Sequence, residues 1–388
     1  MAIRRRTTIG SIIGMAGAVA LVLSGCASST ESVVESNSPE ADTESNSVAS
    51  QFEPAELTFA VASAVLGPKE EVATYAVAEA MGYFAEENLI VTVVNTDGSS
   101  AAIQAVAAGS ADYTAADAGS ILAAVQSDTD IIAVGGLVQN WPWQMATLKG
   151  SDITDGAGLE GKNIGVISLA SGSFTFSQAF IAAEGLDPGT GATYLPVGVG
   201  ASARAALESG DIDALALYTQ AYAALENEGV EFNYIENGPA FDGLRSITFA
   251  ASAKAVAADP EVYERLLRAS YKAMLFTANN PEAAMLIGYE AFPGLLASES
   301  ADERLPKDVN SLNAWMKSAT PKTGKPAEFA DWGSIPKAEW DATQSYLVLA
   351  GIISAPVELE RAWFPGLLAG ANNFDSAAVV KQATDWKP

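Results

Sequence analysis

Short apolar runs and alanine-rich polar stretches take turns along most of this chain. Residues 56–62 form an apolar run with strand composition, and residues 71–81 have helical composition and stop at Gly82. Residues 89–94 read as a second strand. Asp97-Gly98-Ser99-Ser100 then offers small polar side chains suited to capping a helix over 101–108, with Gly109 as its stop. A third strand ends near 114–117, a helix covers 120–126, and 131–134 is a buried strand. The plan restarts at 162–167. A helix opens at Ser171-Gly172-Ser173 and closes at Gly185, and a strand covers 193–197. Strand and helix alternating in this way predict an α/β fold with mainly parallel sheets. Beyond residue 249 the pattern turns helical, with Asp259-Pro260-Glu261 and Asn280-Pro281-Glu282 as helix starts carrying proline in the first turn.

One unit occurs twice. The stretch 97–113 (glycine-rich turn, alanine-rich helix, Gly109, Asp112) is echoed over 198–214, where Gly198-Val199-Gly200 leads a helix that ends at Gly210 before Asp211 and Asp213. Two such units predict two lobes facing one ligand. The expected division is 56–148 with 247–388 for one lobe and 149–246 for the other, joined by hinge crossings and followed by a helical C-terminal part.

The N-terminus changes the picture of where the protein works. Arg4-Arg5-Arg6 precedes an apolar stretch over 9–22 and then Leu23-Ser24-Gly25-Cys26, which resembles a bacterial lipoprotein signal. Residues 1–25 are therefore expected to be a leader, with Cys26 lipidated and the protein held extracytoplasmically at the membrane. Residues 26–55, rich in Ser, Glu, Asn and Thr, are expected to be a disordered tether. The net charge of −26, deepened when the three leader arginines are removed, argues against nucleic acid as a partner. The single cysteine excludes an internal disulfide. The absence of histidine removes the usual general base and the commonest metal ligand. GxSxG and Walker signatures are missing as well, so no catalytic residue or metal is expected.

Ligands of open α/β sheets bind beyond the carboxyl ends of the strands. That rule selects Ser63 after the first strand, Ser99 and Ser100 at one helix start, and Ser171 and Ser173 at another. It also selects Asp117, Asn140, Phe174 and Gly200 from neighbouring loops. Trp141 and Tyr218 are expected to line the cleft and stack on a ligand, while Phe176 and Tyr222 are expected in the core. Asp117 offers an acceptor for a ligand amine. Arg245, at the return crossing, is the candidate to reach an anion, whereas Asp97 would oppose one.

Several stretches together resemble the solute-binding proteins of ABC importers, in the nitrate/sulfonate/taurine and thiamine-pyrimidine-precursor group. They are Ala78-Glu79-Ala80-Met81-Gly82-Tyr83-Phe84, Ala107-Ala108-Gly109-Ser110-Ala111-Asp112-Tyr113, Leu159-Glu160-Gly161-Lys162 and Ala205-Ala206-Leu207-Glu208-Ser209-Gly210-Asp211. The resemblance implies a type II periplasmic-binding fold, a small-molecule ligand, and delivery to a membrane permease and its ATPase. It implies no cofactor. Enzymes among the pyrimidine-synthesis relatives rely on histidine, so a binding protein rather than an enzyme is expected, working as a monomer. A sulfonate such as taurine, or a nitrate-family ligand, is the first expectation. A planar heterocycle such as a pyrimidine precursor is the alternative, a secreted enzyme on the same fold is a remote one, and a sensory or adhesive lipoprotein that binds its ligand without serving a permease fits the sequence as well as transport does.

Overall fold

Each of two sheets runs four strands in one direction and a fifth, second from one edge, in the other. The computed structural model describes residues 52–321 and 324–388. The expected leader, Cys26 and the tether through residue 51 lie outside the described residues. The first sheet is built from β1 (Ala55–Val61), β2 (Leu89–Asn95), β3 (Tyr113–Asp117), β4 (Ile132–Gly136) and β10 (Ile247–Ala251), in the order β2-β1-β3-β10-β4. The second holds β5 (Trp143–Leu148), β6 (Asn163–Val166), β7 (Thr193–Pro196), β8 (Ala214–Tyr218) and β9 (Phe232–Ile235), in the order β7-β6-β8-β5-β9. β10 is antiparallel to β3 and β4, and β5 is antiparallel to β8 and β9. In each sheet the reversed strand is the first to enter after the chain has crossed over. Two lobes with mainly parallel sheets and a helical C-terminal part are therefore what the chain builds.

The alternation along β1 sets the layers. Leu57, Phe59 and Val61 point to one face and join a core with Tyr271, Met274 and Leu275 of the long helix Pro260–Asn279. Ala60 points the other way, packing with Ala102 and Ile103 of the helix Ser99–Ala107. Small alanines on that face admit a helix at close range.

Three expectations are corrected. The first crossing was placed near residue 149. However, β5 pairs with β8 and β9, so the chain has left the first sheet before Trp143. Residues 52–55 were assigned to the tether, yet Phe52 O accepts from Asn88 Nδ2 at 2.8 Å and β1 begins at Ala55. The C-terminal helices were assigned to the first lobe alone. Helix Ala301–Ala319 instead packs on Thr219–Asn227 of the second lobe. There Asn227 Nδ2 donates to Lys307 O at 2.7 Å, and Thr219 Oγ1 lies 3.3 Å from Ser318 Oγ. Helix Lys337–Leu349 packs on Ala118–Gln126 of one lobe and on Gly172–Ala183 of the other.

The lobes touch at Gly98. Its φ of 88° suits glycine, and a Cβ there would stand 3.0 Å from Ala170 O and 3.1 Å from Ser171 Cα. Ser100 N donates to the same Ala170 O at 3.0 Å. Gly98→Ala is expected to lower unfolding free energy by about 1–3 kcal/mol through backbone strain and crowding, as measured by urea denaturation.

Candidate functional site

The carboxyl ends of β1, β3 and β8 and the start of β5 border one pocket between the lobes. The antiparallel register of β5 and β8 sets Trp143 directly opposite Tyr218. The two rings meet edge to face at 5.5 Å, and both line the pocket. Trp143 is fixed by a chain of hydrogen bonds. Its Nε1 donates to Ser246 Oγ at 2.9 Å, and Ser246 Oγ donates to Asp117 Oδ2 at 3.2 Å. Trp315, from helix Ala301–Ala319, adds a third aromatic side chain to the lining.

The floor carries buried charge. Gly67-Pro68 turns the chain after β1, and Lys69, Glu70 and Glu71 follow, all three buried. An ordinary helical turn would spread three successive side chains over roughly 200°. Here Lys69 lies ahead of the helix, which runs as a π-helix over Glu71–Ala76, and the two carboxylates meet at the lysine ammonium. Lys69 Nζ donates to Glu70 Oε1 at 2.7 Å and to Glu71 Oε2 at 2.6 Å. Glu71 Oε1 accepts from Gly67 N at 2.6 Å. Burial alone would push the Lys69 ammonium down, but Glu70 and Glu71 outweigh it and hold it well above the usual lysine range. Burial pushes Glu71 up to about 6, against the pull of Lys69. Burial also raises the Tyr218 hydroxyl, so it stays a neutral donor.

The residues anticipated from sequence divide into two groups. Ser63, Ser99, Ser171 and Tyr218 come together around the pocket. The serines are also tied to the backbone: Ser63 Oγ donates to Val65 O at 2.6 Å, Ser171 Oγ donates to Ser168 O at 2.7 Å, and Ser99 Oγ accepts from Asp117 N at 3.1 Å. The remaining candidates take other places. Asp117 is a buried cap, accepting from Gly119 N at 2.9 Å and from Ser246, so its acceptor capacity is spent inside the protein. Burial pushes its carboxyl up, against those hydrogen bonds. Asn140 ties Lys317 O and Thr320 O at 2.8 and 2.9 Å.

Trp141 packs among Phe176, Phe241 and Tyr346, with ring centroids 5.8–6.1 Å away, and it is Trp143 that reaches the cleft. Ser173 is fully buried, with its hydroxyl on Ala216 O at 2.6 Å. Phe174 and Ser100 border a separate interlobe groove. Phe174 packs edge to face on Tyr194 at 5.3 Å. Gly200, at φ 63°, begins the helix Ala201–Ser209 outside the pocket lining. Arg245 is buried against Glu339, and so its charge is matched within the protein. Phe176 and Tyr222 lie in the core.

Lys69, Glu70, Trp143 and Trp315 were missed. A usable signal lay in Lys69 itself, a cation set between a Gly-Pro turn and a helix start in a strongly acidic chain. Among the described residues no group of acidic or cysteine side chains is placed to hold a metal, and no helix is long and apolar enough to cross a membrane.

The family model described as NMT1/THI5 like matches residues 69–284, more than half of the chain. The chain belongs to the NMT1/THI5-like family. It is 24% identical over 310 residues to the riboflavin-binding protein RibY of Chloroflexus aurantiacus, covering 79% of this chain and 84% of that protein. A solved structure from Bordetella bronchiseptica RB50 superposes with a TM-score of 0.65 at 23% identity, over 82% of this chain and 96% of that one. The periplasmic aliphatic sulphonate-binding protein SsuA of Escherichia coli superposes with a TM-score of 0.59 at 16% identity, over 81% and 93%. The fold is accordingly that of the solute-binding proteins of ABC importers.

The placement of Arg245 is open to a direct test. Glu339→Gln leaves a buried guanidinium without its counter-charge. Because Glu339 is itself 31% exposed, the expected loss of stability lies below the ~3–5 kcal/mol typical of a fully buried pair. It is measured by chemical denaturation.

Proposed function

We propose that this chain is the extracytoplasmic solute-binding component of an ABC importer and that its solute is a planar heterocycle with polar edges. The observation that carries this reading is the pairing of an aromatic cleft with an occupied cation. Trp143, Tyr218 and Trp315 give the pocket large apolar faces. Lys69, the one cation lining it among the described residues, already holds two carboxylates. A sulfonate or nitrate would meet a cluster of net charge −1 and find no free counter-charge, whereas a neutral ring can stack on the indoles and use the remaining polar groups. Riboflavin, which the Chloroflexus relative is named for binding, carries such a ring system.

In this reading the ligand is passed to a membrane permease and its ATPase, the lipid on Cys26 keeps the protein at the membrane, and a single copy suffices. The cleft works as a receptor rather than a catalyst. Its serine hydroxyls are tied to backbone groups.

Calorimetric titration with riboflavin, pyrimidines, taurine and nitrate tests the proposal. A ring compound is expected to bind with quenching of tryptophan fluorescence, while taurine and nitrate give no heat. Trp143→Leu should weaken the ring compound about tenfold or more, equivalent to ~1.4 kcal/mol, and Trp141→Leu should leave affinity near that of the parent. Tighter binding of taurine or nitrate than of every ring compound would reverse the assignment.

A further inference from the structure

Lys69 and Glu70 have hydrogen-bonding capacity left over, and it faces the cleft. An ammonium has three N–H donors, and Lys69 spends two of them, on Glu70 Oε1 and Glu71 Oε2. Glu70 spends one oxygen on Lys69, and no described residue donates to the other. Both side chains are more than nine-tenths buried, at 4% and 8% exposure, yet both line the pocket. The pocket they line is where that remaining capacity can meet a ligand. Glu71 differs from them. Its oxygens are taken by Lys69 and by Gly67 N, so it anchors the lysine and offers nothing outward.

We propose that Lys69 and Glu70 form an adjacent donor–acceptor pair that reads one edge of the ligand ring, an edge carrying a carbonyl or ring acceptor next to an N–H, as imides and lactams do. This rests on the ring reading of the cleft and makes it specific. The lysine N–H donates to the ring acceptor, and the free Glu70 oxygen accepts the ring N–H, a charge-assisted bond on each side. A ligand that cannot donate leaves a carboxylate oxygen buried and unsatisfied, which is the larger part of the discrimination. The same geometry disfavours anions, because the free Glu70 oxygen would face them. Trp143, Tyr218 and Trp315 recognise the faces of the ring, and the Lys69–Glu70 pair recognises its edge.

The test changes the ligand and leaves the protein intact. Wild-type protein is titrated with lumiflavin and with 3-methyllumiflavin, and in parallel with thymine and 1,3-dimethylthymine. In each methylated compound the edge N–H is replaced while the ring is kept. At least one parent ring is expected to bind, with its methylated partner about tenfold weaker or worse. In Glu70→Met, checked for folding by its melting transition, the gap between parent and methylated ring should close. Equal binding of parent and methylated rings overturns the edge assignment and leaves the ring reading standing. No binding of any of the four compounds overturns both.

Discussion

A charge taken out of water needs partners, and around this cleft the described buried charges find them within the protein, as counter-charges or hydrogen bonds. Lys69 is held by Glu70 and Glu71, Asp117 by Ser246 and the backbone of its own helix, and Arg245 by Glu339. The site is built around that constraint. Because the charges are spent on one another, what remains facing the pocket is aromatic surface and a few residual donors and acceptors. The Asp117–Ser246–Trp143 chain shows the principle most directly. A buried carboxylate sets the orientation of a hydroxyl, and the hydroxyl sets the orientation of the indole that faces the pocket.

The fold was legible from the sequence where its signals are local. Strands such as β1 and β3 and the helices capped at Asn280 and after Asp259 are written in apolar runs, turn residues and prolines that act over a few positions. The duplicated turn–helix–strand unit gave away the two lobes for the same reason. The reversed strands were much harder to see. β5 begins immediately after Trp141-Pro142, and nothing within the stretch announces that it leaves one sheet for the other. Its place follows from pairing with β8 and β9, which lie about 70–90 positions further along.

That one strand explains most of the discrepancy in the site. Once Trp143 is the first residue of β5 and sits opposite Tyr218, it must reach the cleft, and Trp141 is left to pack beside Phe241 and Tyr346. The polar candidates misled for a related reason. Asp117, Asn140 and Ser173 have residue types suited to a ligand, but a helix start or a loop can use the same hydrogen bonds for itself, and here it does. Arg245 offered no local sign of Glu339, which lies 94 positions away. Lys69 offered no periodic signal, because its partners are its immediate neighbours in the chain.

The helix Ala301–Ala319 carries Trp315 to the pocket while lying along Thr219–Asn227 of the second lobe. The seat for a ligand is thus a vise with three jaws, and the third comes from the last quarter of the chain. Any displacement of the second lobe would either carry this helix along or break the Asn227–Lys307 and Thr219–Ser318 contacts. In the first case the tryptophan would travel with that jaw, and in the second it would stay behind as a fixed anvil. That helical seam is thus one of the ties that would resist a widening of the mouth.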